Sequence, residues 1–101
     1  MAVVQVSVVP VGTGSASISR HVAHCVDVLD DTGLRYRLTP MGTVIEGELR
    51  DVLSAIASMH EGTFGDDVVR VLTTIIVDDR RDKPLTMDGK LEAVHRRREG
   101  R

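Results

Sequence analysis

The sequence is poor in residues on which several classes of protein depend. Of its 101 residues one is a cysteine and none is tryptophan. A lone cysteine excludes a disulfide within the chain and a thiol-based zinc cluster, and it fits a reducing compartment, so we expect a cytoplasmic protein. Tyr36 and Phe64 are the only aromatic residues. Because sheet surfaces that bind RNA stack bases on aromatic rings, the sequence predicts no nucleic-acid binding.

Long apolar runs and a charge imbalance are also missing. No stretch approaches the roughly 20 apolar residues of a membrane span. The apolar segment 3–11 is interrupted by Gln5 and Ser7 and follows no basic residues, so it predicts neither a membrane span nor an export signal. A net charge of -2 gives no general attraction to polyanions. The length predicts one domain, 1–101, with a small core that a partner subunit would help to complete.

The hydrophobic pattern predicts six elements in the order strand, helix, strand, strand, helix, strand. Alternating or β-branched runs indicate strands, and apolar residues three and four apart indicate helices. The strands are expected at 3–11, 35–39, 42–48 and 68–78, and the helices over the stripe from Val22 to Leu29 and over 49–64. This order is typical of the ferredoxin-like α+β fold, βαββαβ, with an antiparallel four-stranded sheet and two helices on one face. A short C-terminal helix is expected after Pro84.

A turn at Pro40 sets the register of the two middle strands. If Pro40 and Met41 form the loop, Arg35 lies opposite Glu46, and a loop one residue later places Arg37 there instead. In either register one face carries Arg35, Arg37, Val44 and Glu46. The other face, which is the better core, carries Tyr36, Leu38, Thr43 and Ile45.

The sheet face that the two helices leave uncovered mixes polar and apolar groups. In the first and fourth strands its expected polar members are Gln5, Ser7, Arg70, Thr74 and Asp78. Its expected apolar members are Val3, Val9, Val44, Leu72 and Ile76. An exposed apolar patch of this kind typically marks an interface or a ligand groove. The sequence therefore predicts a homo-oligomer.

Glu46 is a carboxylate beside Val44 and Ile45, and it has two interpretations. One is an exposed cross-strand ion pair with Arg35 or Arg37, worth roughly 0.2–1 kcal/mol. The other is a carboxylate in a partly desolvated groove between protomers, where a cationic or amine-bearing ligand supplies the missing partner. The residues by themselves leave both interpretations open.

Other polar groups favour structural roles. Ser17 and Ser19 precede an apolar stripe, a pattern typical of helix caps that does not exclude ligand binding. The alternating charges of 78–83 favour a self-paired loop, with an anion site as the weaker alternative. Cys25 lies on a helix stripe as a small hydrophobe. No histidine joins a ligand set and no serine has a placed base, so the sequence predicts no metal site and no enzyme.

Three segments together resemble the thiamine-binding protein family, whose members are small ferredoxin-like cytoplasmic proteins. They are VVPVGTGSASIS at 8–19, PMGTVIEG at 40–47 and TTIIVDDRRDKPLTMDGKLEAV at 73–94. The resemblance implies a non-enzymatic protein that binds thiamine or its aminopyrimidine precursor. It also implies dimers or tetramers assembled through their sheets, in agreement with the oligomer predicted from the exposed face.

The resemblance and the face assignment together nominate the ligand-binding residues. The positions that match the family are Thr13, Ser17, Ser19, Thr43 and Glu46, and the face assignment adds Gln5, Ser7 and Thr74. Hydroxyls, an amide and a carboxylate can read the donors, acceptors and charge of thiamine. No cofactor is expected beyond thiamine as a ligand. The alternative is a structural or regulatory homo-oligomer without a metabolite.

Overall fold

The computed structural model describes residues 1–14 and 19–100, which form a four-stranded antiparallel sheet and three helices. In chain order the elements are β1 (Ala2–Pro10), α1 (Ser19–Thr32), β2 (Arg35–Thr39), β3 (Gly42–Gly47), α2 (Leu49–Thr63), β4 (Val71–Asp79) and α3 (Met87–Glu99). The strands lie in the order β2-β3-β1-β4. The predicted ferredoxin-like arrangement is confirmed.

The core lies between the sheet and the pair formed by α1 and α2. Val4, Val6 and Ile45 project from the central strands toward these helices and are at most 2% exposed. The helices fill the other side of the core with Leu29, Val52, Ile56 and Met59, and Cys25 joins them. Burying a side chain of this size contributes roughly 1.5–3 kcal/mol, so this layer dominates the stability of the fold.

The β2–β3 hairpin has the register expected for a loop at Pro40 and Met41. Arg35 pairs with Glu46, which confirms the first of the two predicted registers. The Thr39 hydroxyl donates to the Gly42 carbonyl at 2.8 Å and accepts from the Met41 N–H at 3.3 Å. A Cβ at position 42 would lie 2.8 Å from the Val6 carbonyl oxygen, so the close approach of β1 requires glycine there.

Two local predictions differ from the structure. β4 begins at Val71 rather than at residue 68, because Val68 turns inward, is 2% exposed and pairs with Gly65 in an isolated bridge. Leu38 is 51% exposed rather than part of the core. It lies on the edge strand β2 beside an open cleft, where no helix covers it.

The opposite sheet face is not bare along its whole length. The start of α3 lies across it, and Met87 is buried there with 6% exposure. The expectation of a face left uncovered by helices is therefore wrong at this end of the sheet. The reason is that the 80–86 loop returns the chain over β1 and β3, so that the third helix begins on the face that α1 and α2 leave open.

Candidate functional site

Glu46 holds the first residue of α3 against the sheet. Its carboxylate Oε2 accepts a hydrogen bond from the backbone N–H of Met87 at 2.8 Å, and its Oε1 lies 3.5 Å from Nε of Arg35. The side chain is 7% exposed. A carboxylate at a helix start satisfies a free N–H group and complements the positive end of the helix dipole. The cross-strand pair of the first interpretation is thus present, but its carboxylate is buried rather than exposed and has a backbone contact that the sequence did not indicate.

Ion pairs join the first turn of α3 to both edge strands of the sheet, β2 and β4. Asp88 accepts from Arg37 at 2.8 Å and also from Arg35. The Arg37 hydrogen bond and the nearby charge of Arg35 lower the pKa of the Asp88 carboxyl. On the other side of the helix, Lys90 pairs with Asp78 at the end of β4. The helix start is therefore tethered to β2 through Asp88, to β3 through Glu46 and to β4 through Lys90.

The space between α3 and the sheet forms a groove of about 380 Å³, which we call the sheet-face groove. Its apolar surface comes from the sheet on one side and from α3 on the other. Polar groups from three strands and from α3 surround this surface. The lining residues are Val3, Gln5, Arg37, Thr39, Val44, Ile76, Asp78, Met87, Lys90 and Leu91.

A second cavity of about 220 Å³, the turn cleft, lies at the β2–β3 turn. Its walls include the buried Thr43, the buried Cys25 and Met59, and the 81% exposed Met41. Burial raises the pKa of the Cys25 thiol, while its contact with the Thr63 hydroxyl acts weakly in the opposite direction. The thiol is thus kept protonated, as in a packing residue rather than a nucleophile.

The structure distributes the predicted ligand-binding residues instead of bringing them together. Gln5 lines the sheet-face groove, whereas Ser7 and Thr43 line the turn cleft. Thr43 and Glu46 project from opposite faces of β3, because they are three positions apart and the side chains of a strand alternate between its faces. Thr74 is exposed on the open face opposite Ser7.

The remaining predicted positions lie around the β1–α1 connection. Thr13 is half-buried after β1, and Ser19 is the exposed first residue of α1. Ser17 lies outside the described residues. Neither Thr13 nor Ser19 lines the sheet-face groove or the turn cleft.

Sequence reasoning missed several residues that form the sheet-face groove. Met87 and Leu91 belong to the expected C-terminal helix, but the sequence did not indicate that they form a wall facing the sheet. Asp78 was placed on the correct face without a partner, and its contact with Lys90 depends on where α3 lies. In the part of the chain that the structure describes, no group of three or more His, Cys, Asp or Glu side chains could hold a metal ion.

Comparison with known proteins identifies the family. The family model for thiamine-binding protein matches residues 4–95. The chain belongs to the thiamine-binding protein family. Its relatives include the UPF0045 protein YqgV of Bacillus subtilis, 41% identical over 100 residues that cover 95% of this chain and 96% of YqgV. A UPF0045 protein of Methanothermobacter thermautotrophicus is 37% identical over 95 residues, covering 93% of this chain and 96% of the relative.

Solved structures share the fold of this family member. A Methanocaldococcus jannaschii protein superposes with a TM-score of 0.86 at 35% identity, covering 93% of this chain and 95% of its own. A Thermotoga maritima protein with a suggested role in thiamine biosynthesis or salvage superposes with a TM-score of 0.76 at 16% identity, covering 92% of this chain and 97% of its own. The second similarity concerns the fold alone. Among the described helices, none has the length and apolar character needed to cross a membrane.

Proposed function

We propose that this cytoplasmic protein binds thiamine or a related aminopyrimidine, without transforming it, in the sheet-face groove at an interface between protomers. Membership of the thiamine-binding protein family supports a small-molecule ligand. The observation that carries the choice of site is the groove between α3 and the sheet, with its apolar floor and polar rim.

The size of the groove favours it over the turn cleft. Sites for small molecules usually enclose about 300–1,000 Å³ and are mostly apolar with a few placed polar groups. The sheet-face groove, at about 380 Å³, falls within this range, whereas the turn cleft, at about 220 Å³, does not. No aromatic residue lines the groove, so a flat heterocycle would pack between the Met87 thioether and aliphatic side chains such as Ile76.

The charges around the groove suit a ligand with a cationic ring or an amino group. Asp78 is an exposed carboxylate at the rim whose partner, Lys90, is itself exposed. An exposed pair of this kind is worth about 0–1 kcal/mol, so a ligand can replace Lys90 at little cost. Glu46 is already satisfied by Met87 and Arg35. In this proposal it acts through α3 by holding one wall of the groove in place.

The exposed apolar surface supports assembly of protomers around this site. Leu72 and Ile76 are 60% and 58% exposed on the same sheet face as the groove. Contiguous exposed apolar surface is typical of interaction sites. We propose a homodimer or homotetramer in which this face is covered by another protomer. Sedimentation across a range of protein concentrations tests it, and a monomer at all concentrations contradicts it.

Binding is tested by thermal unfolding with and without thiamine. A ligand at about 100 times its dissociation constant stabilises the native state by about 2.7 kcal/mol, and we expect a corresponding rise in the unfolding temperature with thiamine. Gln5→Ala and Asp78→Asn should reduce the rise. Met41→Ala is the control, because Met41 is an exposed residue that lines the turn cleft and not the sheet-face groove.

The possible results test the identity of the ligand and the location of the site separately. No rise with thiamine or with its aminopyrimidine contradicts the proposed ligand. A rise that Met41→Ala reduces and Gln5→Ala leaves unchanged moves the site to the turn cleft.

A structural or regulatory assembly protein without a metabolite is the second candidate. The long edge strand β4, with Ile75 and Val77 also more than 40% exposed, favours it, because an unpaired apolar edge is a template for another chain. Native mass spectrometry of the protein incubated with a cell extract separates the two. A stable oligomer that retains no small molecule would support the assembly protein over the binding protein.

A further inference from the structure

A cleft on the far flank of α3 is lined by four cationic side chains. This cationic cleft, about 290 Å³ in volume, lies between the 80–86 loop and the helix. Its cations are Arg80, Lys83, Lys90 and Arg96, and Thr86 and Gly89 of the helix start border it. No carboxylate belongs to its lining. The acidic partners of Arg80 and Lys90 lie outside this lining, so an anion in the cleft would be attracted by cations on several sides.

The four cations differ in how far they are neutralised. Arg80 donates to Asp82 at 2.5 and 2.9 Å, and this contact lowers the pKa of the Asp82 carboxyl to about 2. Lys90 pairs with Asp78. Within the described part of the chain, neither Lys83 nor Arg96 forms an ion pair. The loop is thus partly self-paired, as its alternating charges predict, but two cations at the cleft remain available.

The cationic cleft adjoins the sheet-face groove through one residue. Lys90 lines both spaces, and its partner Asp78 lines the groove. An anion in the cleft would draw the Lys90 ammonium away from Asp78. The Asp78 carboxylate would then be free to contact a cationic ring in the groove. Anion binding on one flank of α3 would therefore favour cation binding on the other.

We propose that the cationic cleft receives the phosphate or diphosphate group of a phosphorylated ligand whose heterocycle lies in the sheet-face groove. This inference rests on the proposed function for the heterocycle. The chemistry fits the anion, because guanidinium groups bind phosphate oxygens in a two-pronged geometry and lysine supplies a compact charge. A ligand that combines a cationic ring with a phosphate matches both spaces, and the phosphorylated form is then the preferred ligand.

The test is a calorimetric titration at one ionic strength with three probes: thiamine, its diphosphate ester and inorganic pyrophosphate. Charged hydrogen bonds of this kind correspond to about a tenfold gain in affinity, so we expect the ester to bind about tenfold more tightly than thiamine. Pyrophosphate alone should also bind. In the double variant Lys83→Gln/Arg96→Gln, the ester should bind no more tightly than thiamine, and the affinity for thiamine should not change.

The matched control is Arg97→Gln/Arg98→Gln, which removes two exposed cations from the same helix without altering the cleft. Equal loss of ester binding in both double variants would indicate general charge attraction and overturn the cleft as a site. Equal affinities of wild-type protein for thiamine and its ester would overturn it as well. Pyrophosphate binding that depends on Lys83 and Arg96, without any binding of thiamine, would support the anion site and contradict the proposed function.

Discussion

The two faces of the sheet are built on different principles. On the helix-covered face, Val4 and Ile45 are fully buried in an apolar layer. On the open face, a buried carboxylate and a few ion pairs hold the start of α3, while Ile76 beside them is 58% exposed. Apolar burial contributes stability in proportion to the area removed from water, whereas exposed ion pairs contribute little. The first face therefore determines whether the chain folds, and the second has surface left for binding.

Truncating one isoleucine on each face gives the largest expected contrast. Ile45→Ala removes a fully buried side chain and should lower the free energy of unfolding by about 2–5 kcal/mol. Ile76→Ala should change it by less than about 0.5 kcal/mol in dilute protein, because more than half of this residue is already exposed to water. Urea denaturation measures both. Similar losses in the free energy of unfolding at low protein concentration would show that side chains on the open face are packed as tightly as those of the core.

Removing the carboxylate that holds α3 should have the next largest effect. Glu46→Ala leaves the buried Met87 N–H without its acceptor, which costs about 1–3 kcal/mol. Amide exchange at Met87 should become faster, and Glu46→Gln, which retains an acceptor oxygen, should be milder. Glu48→Ala is the control, since the Glu48 side chain is 71% exposed. Unchanged exchange at Met87 in Glu46→Ala would contradict the role assigned to this carboxylate.

The N-cap of α3 tests how strongly the helix start depends on local bonding. The Thr86 hydroxyl accepts from the Gly89 N–H at 2.9 Å, and Thr86→Ala should cost about 0.5–2 kcal/mol. Thr86→Ser should recover most of this loss, because serine supplies the same acceptor. The helical signal in circular dichroism and amide exchange at Gly89 report the change. Exchange that is equally fast in the serine and alanine variants would argue against the cap.

The smallest expected effect is a pH dependence at Asp88. Its contacts with Arg37 and Arg35 lower the pKa of this carboxyl in the folded state. The stabilisation is therefore complete above the unfolded-state pKa of about 3.9 and is lost as the pH falls through the lower folded value. The loss of stability between about pH 5 and pH 2 should be smaller in Asp88→Asn than in the wild-type protein. Identical pH profiles would show that these exposed ion pairs do not contribute.

Local patterns predicted most of the fold because each rests on short-range geometry. The alternation in β1 sorts Val4 and Val6 from Gln5 and Ser7, since successive residues of a strand face opposite sides. The turn at Pro40 limited the partner of Glu46 to Arg35 or Arg37, because register follows from loop length, and the structure has Arg35. The site was harder to predict. Positions chosen by resemblance, such as Thr43 and Glu46, are near in sequence but lie on opposite faces of β3.

The amino-acid sequence by itself determined the elements, limited the hairpin to two registers and divided the sheet into an apolar and a mixed face. Only the tertiary structure decided that α3 begins on the mixed face and that Glu46 binds the Met87 N–H, 41 residues along the chain. The reason is that periodicity and turn geometry act over a few residues. Contact between a strand carboxylate and a distant helix start depends on the path of the loop that joins β4 to α3, which no local pattern specifies.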